Sequence, residues 1–511
     1  MIRSSFASFT TAQLALRASQ NGLDVTGQNI SNINTTGYTR QNVDQISLNS
    51  SNPNYYSQSN SYNIGFGVKV TGISQTRDPY LDIRYRNELS KVNTYDSKLS
   101  GLEDLEQIFD ETPSSNAVSI SGLKTQMDTL LSKLQNLQTH VGEKEYDSIV
   151  ATSAQSLTSM FNSYAKDLDT VRTNHEDELD QTITSVNNTL SKIYELNKSI
   201  KTAQINGMST LELQDSRNLL LDDLSGFMNI SVSYTENATV TGTKLEAMKV
   251  TTTTADGKTI NLLNDTDKPA SIKLVKDANG KISYTLTEAA ASGKTPEETT
   301  NAQFKQGSLK GSAEFLNDST AEGRGIGYYE NMLNTLASTF AKSFNDLNVT
   351  KDADGKTTEH PLFDTTDGSE TITAANIKIT DDWLSGKTTV VGSQEAGAGS
   401  SANENILSMI QLMQSKDISF GDSKNSFLGF FENAVTTLNQ DIASNTDILG
   451  NYVSVADTLA SARDNISTVS LDEEGINILQ YQKSFNAAAR LMTALDEALD
   501  TVINGMGVVG R

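Results

Sequence analysis

Residues 1–40 read MIRSSFASFTTAQLALRASQNGLDVTGQNISNINTTGYTR, and the spacing of the apolar side chains in this stretch decides the fold. Ile2, Phe9, Leu16, Leu23 and Ile30 recur every seven residues, the period of a helix seam that packs against another helix. The positions beside that row are weak, with Gln13 and Gln20 on one side and Ser19 and Thr26 on the other. One apolar row gains less from burial than the backbone entropy lost on ordering a whole helix. Such a helix needs a partner. After Ile30 the run Ser31-Asn32-Ile33-Asn34-Thr35-Thr36-Gly37 is mostly turn formers, so the helix stops there.

The far end of the chain offers the partner, Ser470 to Met506. Ile478, Phe485, Met492, Leu499 and Met506 lie seven apart, and Tyr481, Ala488, Leu495 and Val502 form a second row three residues on. Two interleaved rows are a specific coiled-coil signal. Ser470 and Glu473 have capping-box spacing, and Gly505 and Gly507 end the run. Two ordinary core helices would give similar rows, but these stand at the extreme termini, where chains usually fray. The candidate assembly interface is therefore Phe9, Leu16, Leu23 and Ile30 with Ile478, Phe485, Met492, Leu495, Leu499 and Val502.

The chain has 511 residues, enough for about three or four domains. Only 36% are apolar, which suits thin helical bundles better than one thick core. A net charge of −23 argues against nucleic acid or an anionic membrane as partner, since phosphate would repel it. No apolar run approaches membrane-spanning length. There is no cysteine, so neither disulfides nor thiolate sites exist. Phe6 to Leu16 is interrupted by Ser8, Thr10, Thr11 and Gln13, unlike a cleavable signal peptide.

Between the termini, helix and strand patterns alternate. Ile64 to Val70 has period two, a strand. Pro79 opens a long helix with rows Tyr85, Val92, Leu99 and Tyr95, Leu102, Phe109; Pro113 breaks it, and a second helix spans Ser119 to about His140. Glu145 to Asn206 contains neither proline nor glycine and keeps Leu179, Val186, Ile193 and Ile200 in strict heptads, which reads as a rod or stalk. Strands follow at Ile230–Tyr234, Met248–Thr253, Ile272–Val275 and Ile282–Leu286, with Asp256-Gly257 and Asn279-Gly280 as hairpin turns. Helices return from Tyr328, give way to strands and loops over 351–399, and resume at Asn403, with a long one at about Ser426–Ser467. The fold class is multidomain and mainly α with inserted β modules (α+β), built on a long coiled coil or helical bundle formed by both termini. Its parts are the terminal coil (1–35 with 470–511) and a helical rod or bundle (36–226, 308–350, 402–469) carrying a β-hairpin region at 38–76. A β-rich domain (227–307) and a small strand-and-loop unit (351–401) are inserted into it.

Chemistry-bearing patterns are weak. His140, His175 and His360 are far apart and none has metal-ligand spacing. Asp352-Ala353-Asp354-Gly355 begins like a calcium loop but lacks the later ligands, so a plain Asp-Gly turn is the better reading. Gly65, Gly67 and Gly72 lie in a strand pattern and suggest bending rather than phosphate binding. Asp472-Glu473-Glu474 suits a first helical turn. Trp383 reads as core. No catalytic constellation, metal site or cofactor is expected.

Five segments share one resemblance. GLDVTGQNISNINTTGYTR (22–40) and SLDEEGINILQYQKSFNAAARL (470–491) resemble the terminal signatures of the bacterial flagellar rod, hook and hook-associated axial protein family. Tyr38-Thr39-Arg40-Gln41 resembles the hook-associated branch at the hook–filament junction, whereas hook and rod members usually carry Lys after the tyrosine. GFGVKVTGISQTRDPYLDIRYR (65–86), LQDSRNLLLDDL (213–224) and the 307–347 region are similar to the same branch. Gly475 and the acidic 351–368 loop depart from it. The resemblance implies a structural junction protein of the bacterial flagellum that forms a ring with copies of itself. Terminal helices would line the inner core and β modules face outward. It further implies contact with hook protein and with the second hook–filament junction protein, and passage through the flagellar export apparatus with an export chaperone. The signal would be uncleaved, the location extracellular, and no nucleic acid or membrane insertion involved. Other axial proteins compete with this reading, as does an exported coiled-coil translocator or adhesin, which would need a membrane-inserting apolar segment. An enzymatic insert in the β region is a further rival.

Overall fold

The computed structural model describes residues 5–505 apart from 49–66, 110–121, 239–243, 265–267, 279, 291–294, 353, 396, 400 and 422. Ile2, Ile64, Pro113, the Ser119 helix start, Met506 and Gly507 lie outside the described residues. The first helix, α1 (Ser5–Ser31), ends at the run of turn formers. An antiparallel hairpin follows, β1 (Gln41–Ser47) with β2 (Val68–Gln75), and its register slips where Gly72 stands opposite Asp44. That slip is the strand bend expected of a glycine there.

Next come α2 (Pro79–Phe109), α3 (Leu123–Thr139) and α4 (Lys144–Ile205). At 62 residues α4 is about 93 Å long, and Gly207 ends it at φ +67°. It is a spine rather than a free stalk. Val150, Leu157, Phe161 and Leu168 are buried along its first half, and Leu179, Val186, Ile193 and Ile200 along its second. Then α5 (Leu211–Phe227) leads into two three-stranded sheets. The first orders β3 (Ile230–Ala238), β4 (Lys244–Thr253) and β5 (Thr259–Leu263); the second orders β6 (Ser271–Lys276), β7 (Ile282–Thr287) and β8 (Glu298–Ala302). Gly257 and Gly280 turn their hairpins with φ of +85° and +79°. These sheets share the helices' core. Tyr284 is fully buried with its hydroxyl donating to the Leu309 carbonyl, and the Asn187 amide on α4 bonds both N–H and carbonyl of Ile272.

The chain continues through α6 (Ser308–Asn317), α7 (Ile326–Leu347), the short pairs β9 (Val349–Lys351) with β10 (Thr357–Glu359) and β11 (Phe363–Thr365) with β12 (Ile377–Ile379), and α8 (Asp381–Leu384). After α9 (Glu404–Gln414), β13 (Ile418–Phe420) and β14 (Ser423–Asn425) come α10 (Phe427–Ser467) and α11 (Leu471–Gly505). Asp352 Oδ1 accepts from the N–H groups of Asp354 and Lys356, so it serves the β9–β10 turn. Trp383 is buried against Phe363. Tyr95 stacks on Tyr452 and Phe109 meets Phe431, so α10 runs antiparallel to α2. Where α2 crosses α6, glycine is required: a Cβ on Gly311 would sit 2.2 Å from the Thr94 carbonyl oxygen.

Candidate assembly interface and its anchor

The terminal helices α1 and α11 pack along each other. Gly22 faces the Tyr481 ring, while Asn29, one heptad later in α1, lies beside the Arg40–Glu474 contact, one heptad earlier in α11. The two helices are therefore antiparallel. The α1 face turned inward is made of small and polar residues. Ala12, Ala18, Ser19, Gly22, Val25, Thr26 and Asn29 are buried, and a Cβ on Gly22 would fall within 2.6 Å of three Tyr481 ring atoms. The expected seam row sits to one side of this stripe: Phe9, Leu16, Leu23 and Ile30 are each half-buried. On α11, Ile478, Tyr481, Phe485, Met492, Leu495 and Leu499 are half-buried, Ala488 is buried and Val502 is 51% exposed. Bulky α11 side chains thus stand against a stripe of small α1 residues. Among the described residues the buried apolar side chains of the pair are Ala12, Ala18, Val25 and Ala488.

This small-residue stripe is the feature the apolar-period reading missed. Ala12, Ser19 and Thr26 are spaced seven apart, as are Ala15, Gly22 and Asn29. Small residues at heptad spacing signal close backbone approach as well as apolar ones signal burial. Ser19 and Thr26, weak seam positions by hydrophobicity, are 5% and 2% exposed.

The pair is anchored where the signature loop returns from α1. Asn29 accepts the Tyr38 hydroxyl at 2.9 Å and the Gln41 N–H at 3.0 Å, and its Nδ2 donates to the Gln41 carbonyl. Thr39 N–H donates to Asp215 Oδ2 on α5 at 3.0 Å. Arg40 spans to the first turn of α11, with Nε 2.8 Å from Glu474 Oε1 and Nη1 2.5 Å from Glu473 Oε2. The capping box foreseen at Ser470 is half made. Glu473 N–H approaches Ser470 Oγ at 3.5 Å, but the Glu473 carboxylate is turned to Arg40.

Behind the loop, α2, α5 and α10 meet through charge. Arg86 Nε donates to Asp222 at 2.7 Å, Arg77 Nε to Asp82 at 2.6 Å, and Arg463 lies 2.8 Å from Asp222 and 4.6 Å above the Tyr85 ring. Burial of these carboxylates requires such pairing. Burial, then the Glu212, Asp215 and Glu474 carboxylates, pushes the Tyr38 hydroxyl up to about 12. Burial likewise raises Asp215 above the ordinary carboxylate value, outweighing the Thr39 bonds and Arg77. In sequence Arg40 stands only in a family signature and its acidic partners only in a charged helix start, because a contact spanning the chain leaves no local periodicity.

The histidines serve packing. His175 is buried with Nε2 2.9 Å from Asp104 and its ring edge-on to Phe315, His140 stacks on Tyr146, and His360 bonds Thr350. Among the described residues no group of three His, Cys, Asp or Glu side chains could hold a metal, and no helix is long and apolar enough to cross a membrane.

Comparison with known proteins agrees with this geometry. Residues 102–363 match the family model of the flagellar hook-associated protein FlgK helical domain, 460–505 that of the flagellar basal body rod FlgEFG protein C-terminal, and 9–39 that of the flagella basal body rod protein. Flagellar hook-associated protein 1 of Bacillus subtilis (strain 168) is 31% identical over 99% of this chain and 100% of its own length. That of Salmonella typhimurium is 23% identical over 96% of this chain and 98% of its own. The flagellar hook junction protein FlgK from Burkholderia pseudomallei superposes with a TM-score of 0.55 at 12% identity, covering 76% of this chain and all of that one, a likeness of fold. With α1 and α11 in the two rod-protein terminal matches and the helical body in the third, the chain belongs to the flagellar hook-associated protein 1 family, structural junction proteins of the bacterial flagellum.

Proposed function

We propose that this chain closes into a ring with copies of itself between hook and filament, with the α1–α11 pair as the assembling surface. The carrying observation is the half-covered row Phe9, Leu16, Leu23 and Ile30, beside a pair whose buried apolar side chains, among the described residues, are three alanines and a valine. Apolar rows left half in water on a thin helical pair favour a neighbour that completes their burial. The interface comprises that row with Ile478, Phe485, Met492, Leu495, Leu499 and Val502. Hook protein sits on one side of the ring and the second hook–filament junction protein on the other. Each subunit reaches its extracellular place through the flagellar export apparatus, escorted by an export chaperone and keeping its N-terminus. The work is mechanical and needs no active site.

Electron microscopy of flagella from a strain lacking this protein tests the reading. Hooks without filaments, with filament subunits shed into the medium and filaments restored by the intact gene, are expected. Normal filaments on the deletion strain would overturn it.

A further inference from the structure

Among the described residues the terminal pair meets the body at a joint and, along α1, at the β1–β2 hairpin. Two chain segments cross at the joint, residues 32–40 leaving α1 and residues 468–470 entering α11, and Arg40 N–H donates to the Ser467 carbonyl across them at 2.8 Å. Among the described residues neither α1 nor α11 makes an extended contact with a helix of the body; α1 rests on the β1–β2 hairpin instead. The body side of the joint is pinned. Thr39 is held by Asp215, Gln41 Nε2 donates to Glu212 at 3.2 Å, and Gln75 Nε2 donates to the Leu211 carbonyl at 3.1 Å. From this pinned loop the Arg40 side chain reaches into α11.

We propose that Arg40, gripped by Glu473 and Glu474, is a lock that sets the angle between the terminal helical pair and the body. When the grip is lost the pair swings as a unit. Three observations carry this. Glu474 is 1% exposed and Arg40 is its counter-charge, so removing the guanidinium leaves a carboxylate at the pivot whose remaining partner among the described residues is the Asn477 amide at 3.5 Å. Glu473 and Glu474 are adjacent in the first turn of α11, so both bonds act at the pivot end of a 35-residue helix. A rotation of about 10° there moves the far end, roughly 50 Å away, by about 9 Å. The planar guanidinium fork fixes direction as well as distance, which a lysine ammonium cannot. Asn29 and the hairpin still tether α1 to the loop, and the α1–α11 packing is untouched, so opening the lock widens the range of the angle without separating the helices.

Spin-label distance measurement on the purified full-length chain tests the lock. The chain has no cysteine, so labels attach only where cysteines are introduced. One pair, at the exposed Asn486 of α11 and the exposed Lys198 of α4, reports the angle; a second, at the exposed Asn21 and Gln482, reports the integrity of the terminal pair. The parent should give one narrow distribution for each. Arg40→Ala should at least double the width of the first and leave the second narrow. Arg40→Lys should fall between, and Arg84→Ala, an exposed arginine beside Tyr80, should change neither. An Arg40→Ala distribution as narrow as the parent's, a parent already broad, or a second distribution that broadens with the first would overturn the proposal.

Discussion

Gly22 and Gly27 lie in the same helix five residues apart and should respond to the same change in opposite directions. In a helix interior alanine is favoured over glycine by about 1 kcal/mol. At Gly27 nothing lies within 4 Å of the new methyl group, so Gly27→Ala should collect that gain. At Gly22 the methyl would meet Tyr481 Cε1 at 2.5 Å and Cδ1 and Cζ at 2.6 Å, well inside contact distance. Overpacking of this kind costs about 1–3 kcal/mol. The clash should win by about 1 kcal/mol, a shift of roughly fivefold in the opening equilibrium of the pair. Hydrogen exchange of the α1 amides reads that equilibrium: protection should rise about fivefold for Gly27→Ala and fall about fivefold for Gly22→Ala, by the same conversion. Removing the ring reverses the sign. In a Tyr481→Ala background Gly22→Ala should become protective, like Gly27→Ala. If Gly22→Ala protects α1 in the parent chain, the small-residue packing of the pair is wrong.

Met492→Asp, at a half-buried α11 position, should leave the melting temperature of the purified chain nearly unchanged but abolish filaments, because a charge there must be buried unpaired at each subunit contact; Glu497→Ala, exposed, should be tolerated, and equal damage from both would count against the interface. Gly311→Ala should lower the melting temperature sharply, by an overpacking cost of about 3 kcal/mol, since its methyl would meet the Thr94 carbonyl at 2.2 Å, and thermal denaturation checks it. Asp215→Asn should change the pH dependence of stability. The folded carboxyl holds its proton to higher pH than an unfolded one, so its contribution is complete below about 4 and is lost as pH rises through the raised value. The amide can still accept the Thr39 N–H, so the stability of the variant minus that of the parent should rise as pH climbs above about 4; a difference that stays constant or falls would refute this.

Where the fold repeats locally, the sequence was legible. The heptads of Glu145–Asn206 mark α4 to within a residue at each end, and Asp256-Gly257 marks its turn. β5 escaped because the alternation of Thr259–Leu263 lasts only four residues, and β8 because Glu298–Ala302 is almost wholly polar. The rod or stalk expected of α4 became a spine because α3 and α5, its neighbours in the chain, fold back onto it, and α2, α6, α7 and the sheets cover the rest. The joint escaped too: Arg40, Asp215 and Glu474 come from three separate parts of the chain, and only the folded molecule brings them together. The seam row was legible as a period, but the stripe of small residues beside it carries the contact between the helices, because close approach depends on what a side chain lacks.

The outermost pairing joins Gly22 to Tyr481, and the next one in joins α2 to α10. These contacts are nested like the leaves of a folded letter, and they set an order of events. Closing a loop of more than four hundred residues gains nothing until both ends are present. Because synthesis runs from the first residue, α1 must wait as an unpaired amphipathic segment until α11 has been made. Slow synthesis prolongs that wait. Any agent that shields Phe9, Leu16 and Leu23 during it governs how much of the protein arrives able to close.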